Sequence, residues 1–183
     1  VDASVRREGS SRFSKENRWG TFWSIGAAWN INNEDFMADN KTFSTLRLRG
    51  SYGTTGNSSL PINSYQTLLA TDRYNGEGAF VPTQVGSDIG WETQKKLDFG
   101  LDFGLLEQRI SGSIAYYQSQ SEDLLYAMPL SLTSGFISKW INYGTLQNKG
   151  IELELNANII QTENFSWNIS GNYATVKNEM TSL

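Results

Sequence analysis

Residues 96–105 read KLDFGLDFGL, and this stretch decides the fold of the chain. Leucine or phenylalanine occupies each odd position, and lysine, aspartate or glycine occupies each even one. Successive side chains of a β-strand point to opposite faces of its sheet, so a period of two places the apolar side chains on one face. The stretch therefore predicts a strand with one apolar face and one polar face.

The same alternation recurs along the rest of the chain. Its apolar members are Trp23, Ile25, Ala27, Trp29 and Ile31; Leu46, Leu48, Gly50 and Tyr52; Ile110, Gly112, Ile114 and Tyr116; Ile151, Leu153, Leu155, Ala157 and Ile159; and Phe165, Trp167, Ile169, Gly171 and Tyr173. With the alternating segment at the N-terminus, the pattern predicts about seven strands. Several of these segments are longer than the average of about 5–6 residues in soluble proteins, whereas a strand tilted across a bilayer needs about 9–11.

Short and long connections follow one another in strict order. The short ones are Asn32–Thr42, Glu107–Gln108 and Gln161–Asn164, and the long ones lie near 7–18, 53–90 and 118–139. Outer-membrane barrels have short periplasmic turns and longer extracellular loops. The sequence therefore predicts an all-β fold, an antiparallel transmembrane β-barrel, with the three long connections as extracellular loops.

Aromatic side chains collect near both ends of the predicted strands. One group comprises Trp19, Trp23, Tyr52, Trp91, Tyr116, Tyr143 and Tyr173, and the other Trp29, Phe43, Phe103, Phe165 and Trp167. Such rings favour the two headgroup layers of a bilayer. The strand centres carry no charged residue on the apolar side; Lys95 and Lys149 share that parity but fall at the loop ends. The alternative, a soluble β-sandwich, would have shorter strands and no need of two aromatic belts.

Composition excludes several classes of protein. The 183 residues include no Cys and no His, so neither disulfides nor thiolate metal sites are available and the commonest general base is missing. The net charge is −4 without a basic stripe, which excludes a nucleic-acid partner. We therefore predict that the chain is not an enzyme, with no catalytic residue, no metal site and no cofactor.

Five segments along the chain carry recognisable motifs. They are RREGSSRFSKENRWG (6–20), LRGSYGTTGN (48–57), WETQKKLDFGLD (91–102), NKGIELEL (148–155) and NYATVKN (172–178). In this order they resemble the signatures of SusC/RagA-type TonB-dependent outer-membrane importers. The resemblance extends from one end of the chain to the other.

This resemblance has several implications. Residues 1–183 would be a partial barrel domain, about seven consecutive strands of a plugged barrel of about 22, with the plug domain and the remaining strands absent. Such proteins are integral to the bacterial outer membrane and import glycan or peptide fragments with energy delivered through TonB. A SusD-like surface lipoprotein covers the barrel as a lid. The implied partners are thus this lipoprotein, TonB, outer-membrane lipids and an oligosaccharide or oligopeptide substrate.

Charged residues on the polar face of the strands would point into the barrel lumen. They are Arg47, Arg49, Asp98, Asp102, Glu152 and Glu154. One interpretation is that they form ion pairs within the wall, with Arg47 and Asp102 at similar heights. The other is that some of them hold the plug domain and release it during transport.

Aromatic and polar residues in two of the long loops form a second candidate site. They are Tyr65, Asp72, Arg73, Tyr74, Phe80, Phe136 and Trp140. Rings with nearby carboxylates could stack on and hydrogen-bond to a sugar substrate. The alternative is that they pack the loops together or meet the lid lipoprotein, since long loops need a small core of their own.

Two functions from different classes fit this pattern. The first is a TonB-coupled nutrient importer of the SusC type. The alternative is a non-transporting outer-membrane barrel that anchors surface-binding loops. The substrate depends on loops, plug and lid together and is not encoded in any one motif.

Overall fold

The computed structural model describes residues 1–74 and 76–183, with the side chain of Tyr74 outside the described part. The strands are β1 Asp2–Gly9, β2 Trp19–Asn30, β3 Phe43–Asn57, β4 Leu68–Tyr74, β5 Glu77–Gln84, β6 Glu92–Leu105, β7 Ile110–Glu122, β8 Leu125–Pro129, β9 Ser138–Asn142, β10 Thr145–Gln161, β11 Ser166–Ala174 and β12 Lys177–Ser182. Short 3-10 helices lie in two of the connections. None of the helices in the described ranges is long and apolar enough to cross a membrane.

The long strands form one antiparallel sheet. Its order is β1-β2-β3-β6-β7-β10-β11, and β12 pairs with the part of β10 that β11 leaves unpaired. Between the two segments, the Thr175 amide donates to the Ile151 carbonyl oxygen at 2.9 Å. β11 and β12 thus act as one edge strand interrupted at residues 175–176, and the sheet has seven strand positions. This result confirms the predicted all-β antiparallel wall of about seven strands.

The central strands are long enough to span a bilayer. β3, β6, β7 and β10 contain 15, 14, 13 and 17 residues, above the roughly 9–11 that a tilted transmembrane strand needs. β3 continues to Asn57 and β7 to Glu122, so the strands extend beyond residues 53 and 118, where sequence places the loop starts. The alternation pattern predicts that these strands end too early, because small and polar residues occupy both faces of the sheet near the strand ends.

The connections differ in length at the two ends of the sheet. Residues 31–42, 106–109 and 162–165 make short turns at one end. Residues 10–18, 58–91 and 123–144 make long loops at the other, and two of these contain the separate hairpins β4–β5 and β8–β9. The tight turn 106–109 has three successive non-glycine residues with positive φ and is held by the Thr42 carbonyl oxygen and the Ser44 hydroxyl.

The two faces of the sheet differ in chemistry. The exposed large apolar side chains of one face include Trp23, Ile25, Trp29, Leu97, Phe99, Ile114, Ile151, Leu155, Trp167 and Ile169. The opposite face carries serine, asparagine, glycine and charged residues at the alternate positions. A water-surrounded protein does not leave an apolar face of this size uncovered. This separation is that of a barrel wall, with lipid on one side and a wet interior on the other.

Candidate functional site

Strands β3 and β6 bring four charged side chains of the polar face close together. Arg47 lies opposite Asp102 in the strand register, and Asp98 lies opposite Ser51. The ion pair that forms is diagonal: Nε of Arg49 donates to Oδ1 of Asp102 at 3.3 Å. Both side chains are partly exposed, so we expect the pair to contribute at most about 1 kcal/mol.

Gly100 gives the Arg49 side chain its place on the wall. Gly100 is the cross-strand partner of Arg49, and the guanidinium group lies flat over it. A Cβ atom at residue 100 would lie 2.7 Å from Cζ of Arg49. The glycine of the Phe99–Asp102 motif thus provides the space from which Arg49 reaches Asp102.

Arg47 and Asp98 border an open cavity of about 390 Å³ on the polar face. Arg49 and the Asp2 carboxylate of β1 line the same cavity. Asp98 is paired within its own strand, with its Oδ2 atom 3.5 Å from Nζ of Lys96. Arg47 is exposed and takes part in none of the ion pairs within the described ranges. The cavity therefore presents both charge signs to whatever fills the barrel interior.

Glu152 and Glu154 stand apart from this group. They lie on β10, and β7 separates them from β6, with Ala115 and Ser113 as their direct neighbours in the register. Oε1 of Glu154 accepts a hydrogen bond from the Asn156 side-chain amide at 3.1 Å. Both carboxylates are exposed, and neither belongs to an ion pair among the residues that the structure describes. On the polar face of the wall, the small residues of β7 thus separate the arginines of β3 from the glutamates of β10.

A small apolar core lies where the three long loops meet the sheet. Three of its side chains are at most 4% exposed: Phe13 in the loop 10–18, and Leu60 and Ile89 in the loop 58–91. Trp91, Leu125 and Trp140 pack against them and bring in the third loop. We call these six residues the loop cluster. Of its members, sequence analysis named only Trp140 for a small core of the loops, although an isolated apolar residue within a polar loop, as at Phe13 or Ile89, is a usable signal for such a core.

Hydrogen bonds fasten the loops around this cluster. The Arg12 guanidinium donates to the Ser58 carbonyl oxygen at 3.2 Å, and the Asn17 amide donates to Oδ1 of Asp88 at 2.6 Å. The Asn142 side chain accepts from the Gly90 amide at 2.7 Å and donates to the Gly90 carbonyl oxygen at 3.1 Å. The motif RREGSSRFSKENRWG therefore supplies several of the contacts that hold the loop bases together.

Trp91 belongs to this core and not to the outer aromatic belt in which sequence analysis placed it. Its ring lies 5.2 Å from that of Phe13 and 5.4 Å from that of Phe22. Phe22 is buried on the polar side of β2, and its ring lies directly over Gly56 and Gly20. Because Trp91 ends a loop immediately before β6, strand parity does not determine where its ring packs.

The predicted loop residues fall into separate places. Trp140 packs in the loop cluster, and the Tyr65 hydroxyl accepts from the Gln66 amide at the edge of a cavity of about 520 Å³. Asp72 and Arg73 are exposed on β4, Phe80 on β5 is 76% exposed, and Phe136 is half-buried in the loop 123–144. The side chain of Tyr74 lies outside the described residues. The structure does not gather the six described side chains into one pocket.

The long antiparallel strands, the lipid-type face and the charged interior face together define a segment of a transmembrane β-barrel wall. The family described as "TonB dependent receptor-like, beta-barrel" matches residues 1–181. The chain belongs to this family, which is one of receptors and transporters and not an enzyme class.

Individual relatives agree with this assignment. The chain is 40% identical over 190 residues to TonB-dependent receptor P3 of Formosa agariphila and 36% identical over 192 residues to TonB-dependent receptor SusC of Bacteroides thetaiotaomicron. It covers 18% and 19% of these relatives, and 98% of the chain takes part in each match. The solved structure of the RagAB peptide transporter superposes with a TM-score of 0.91 at 34% identity, over 99% of this chain and 20% of that one. The SusC/RagA resemblance is confirmed, and the chain spans about a fifth of the length of these relatives.

Proposed function

We propose that the protein to which this wall belongs is an outer-membrane importer of the SusC/RagA type, driven through TonB. The observation that supports it most is the seven-strand wall with an apolar face outside and a charged face inside, in a chain of the TonB-dependent receptor family. Strands of 13 to 17 residues at its centre suit an outer membrane.

The substrate in this proposal is an oligosaccharide or an oligopeptide captured together with a SusD-like surface lipoprotein. One solved relative is described as a peptide transporter, RagAB. The loop cluster supports a partner at the mouth, because it ties the bases of three loops into one firm rim. Exposed Phe80, Asp72 and Arg73 on the β4–β5 hairpin are the residues that we assign to contact with substrate or lid.

Within the lumen, we assign different roles to different charges. Arg49–Asp102 and Lys96–Asp98 are ion pairs of the wall itself. Arg47, Glu152 and Glu154 are exposed and outside the ion pairs of the described residues, so they are the charges that we assign to the plug domain. Contacts of exposed charges are weak individually, which suits a plug that has to be released.

Uptake in cells tests the transport proposal. The full-length gene is deleted and restored, and accumulation of labelled oligosaccharides and oligopeptides is measured with and without TonB. Accumulation that needs both the gene and TonB, with a surface lipoprotein that co-purifies, is the expected result. Ligand binding at the cell surface without accumulation would contradict transport and favour the anchored surface-binding barrel.

The luminal assignment has its own test. Arg47→Ala and the double change Glu152→Gln/Glu154→Gln are expected to alter the rate of uptake severalfold while the barrel keeps its heat stability. Glu163→Gln removes one carboxylate from the short turn 162–165, away from the lumen, and serves as the control. Wild-type uptake in both luminal variants would contradict a role in holding the plug.

A further inference from the structure

Two lysines stand side by side on the lipid-facing side of the wall, above its apolar band. Lys149 has the same parity on β10 as Ile151, Leu153 and Leu155, and it lies directly opposite Lys177 of β12. On its other side Lys149 lies opposite Gln118 of β7. We call Gln118, Lys149 and Lys177 the lysine patch. It lies near the loop end of the sheet, four residues from the start of β10.

The patch has more positive charge than its neighbours neutralise. Nζ of Lys177 lies 2.8 Å from Oε2 of Glu179, whereas Lys149 takes part in none of the ion pairs of the described ranges. Two ammonium groups therefore share one carboxylate. Like charges directly opposite each other on neighbouring strands are unfavourable, unless an anion lies between them.

A nearby pair on the same face shows the contrast. Lys95 of β6 lies one row further toward the loops, and its Nζ atom is 2.6 Å from the Glu122 carboxylate on β7. That lysine has a dedicated carboxylate and contributes no net charge. Among strands β6, β7, β10 and β12, the excess positive charge of this face is therefore located at Lys149 and Lys177.

The apolar face continues directly beneath the patch. Ile151 and Tyr116 are neighbours in the register and are both exposed, and Phe99, Ile114 and Leu155 extend the same exposed surface. The Tyr116 hydroxyl donates to Oε1 of Gln118 at 3.2 Å, which leaves the amide NH2 group of Gln118 as a donor beside the two lysines. Ammonium and amide donors thus stand above a surface suited to hydrocarbon.

We propose that the lysine patch binds the phosphate group of an anionic lipid of the outer leaflet, whose acyl chains lie along Ile151, Tyr116 and Leu155. Lysine ammonium groups bind phosphate as point charges, and lysines at a bilayer boundary extend toward the headgroups. A peptide partner would not account for the continuity with the apolar band. This inference rests on the proposed outer-membrane location.

Native mass spectrometry of the full-length protein in detergent tests the site. The probes are phosphorylated lipid A and the same lipid without its phosphates. Wild-type protein is expected to retain the phosphorylated lipid, and Lys149→Gln/Lys177→Gln is expected to bind it at least about tenfold more weakly. Lys149→Arg/Lys177→Arg keeps both charges and is expected to keep binding.

A matched control removes two lysines elsewhere. Lys15→Gln/Lys139→Gln lowers the charge by the same amount in the extracellular loops and is expected to bind as the wild type does. Equal retention by the patch variant, or equal retention of the dephosphorylated lipid, would overturn the proposal. So would displacement of the lipid by an equal concentration of inorganic phosphate, because the acyl chains would then contribute nothing.

The outcome is separable from the function proposed above. Protein that imports substrate from the outer membrane but does not retain the lipid would overturn the lipid site alone. Protein that fractionates away from the outer membrane would overturn the location and with it the lipid site. A dimer that masks the patch, seen as a doubled mass without bound lipid, would assign this face to a second copy and also overturn the proposal.

Discussion

At the scale of single residues, the contact between Arg49 and Asp102 depends on the absence of a side chain at Gly100. The guanidinium group lies over Gly100, and a methyl group there would meet Cζ of Arg49 at 2.7 Å. The arginine end is flexible, so it can move aside at small cost. When the guanidinium group moves aside, however, it loses the 3.3 Å contact between its Nε atom and Oδ1 of Asp102.

We therefore expect Gly100→Ala to reduce the free energy of unfolding of the full-length barrel by about 0.5–1 kcal/mol, the scale of an exposed ion pair. Most of this loss should disappear when Asp102→Asn is already present, since the contact is then absent. Urea unfolding of the reconstituted protein measures both. Gly171→Ala is the control, because a Cβ there meets no atom within 4 Å. Additive losses in the Gly100/Asp102 double variant would contradict the coupling.

At the scale of elements, the loop cluster makes one unit of three loops that are distant in sequence. Arg12 reaches Ser58 across 46 residues, and the Trp91 indole donates to the Arg18 carbonyl oxygen across 73. Loop bases held in this way should open rarely, whereas Asp72, Arg73 and Phe80 of the β4–β5 hairpin are exposed and have less to hold them. The cluster thus forms a firmer base than the exposed hairpin residues beyond it.

Phe13→Ala removes a fully buried ring from that rim. Truncation of a buried phenylalanine costs about 3–5 kcal/mol, and here the loss should fall on the loops because the strands keep their own hydrogen bonds. We expect proteases added to intact cells to cut the loops 58–91 and 123–144 faster in this variant, while the heat stability of the barrel changes little. Phe80→Ala removes the same ring at a site that is 76% exposed and should leave cleavage unchanged. Equal cleavage of both variants would contradict the clamp.

At the scale of the whole molecule, residues 1–183 form a wall and not a closed barrel. β1 and the β11/β12 strand are the two edges of its sheet, and the apolar face is exposed. Open edges and uncovered apolar surface both promote association between chains.

The isolated segment 1–183 is therefore expected to aggregate in water, whereas full-length protein in detergent should remain dispersed. Sedimentation of the segment after dilution from urea measures this. A soluble, monomeric segment with β-sheet circular dichroism would mean that the sheet covers its own apolar face as a sandwich does. That result would contradict the barrel wall.

Sequence alone determined the features that depend on a period of two. Alternation at 96–105 and in the similar segments assigned the residues of the long strands of the wall to the lipid side or the interior side, because side-chain direction in a strand is a local property. It did not predict the loop hairpins β4–β5 and β8–β9. Strand number and the order of short and long connections followed from the same pattern. The motifs added the SusC/RagA family, which the relatives confirm.

Only the tertiary structure decided which residues meet across the chain. Arg47 and Arg49 have the same parity, and it took the register and Gly100 to assign the ion pair with Asp102 to Arg49. The loop cluster joins Phe13 to residues as distant as Trp140, where no periodicity applies. The side-by-side position of Lys149 and Lys177 likewise depends on the register between β10 and its edge strand, which continues unchanged from β11 to β12 across residues 175–176. Such contacts follow from long-range strand pairing and packing, and a local pattern carries no information about either.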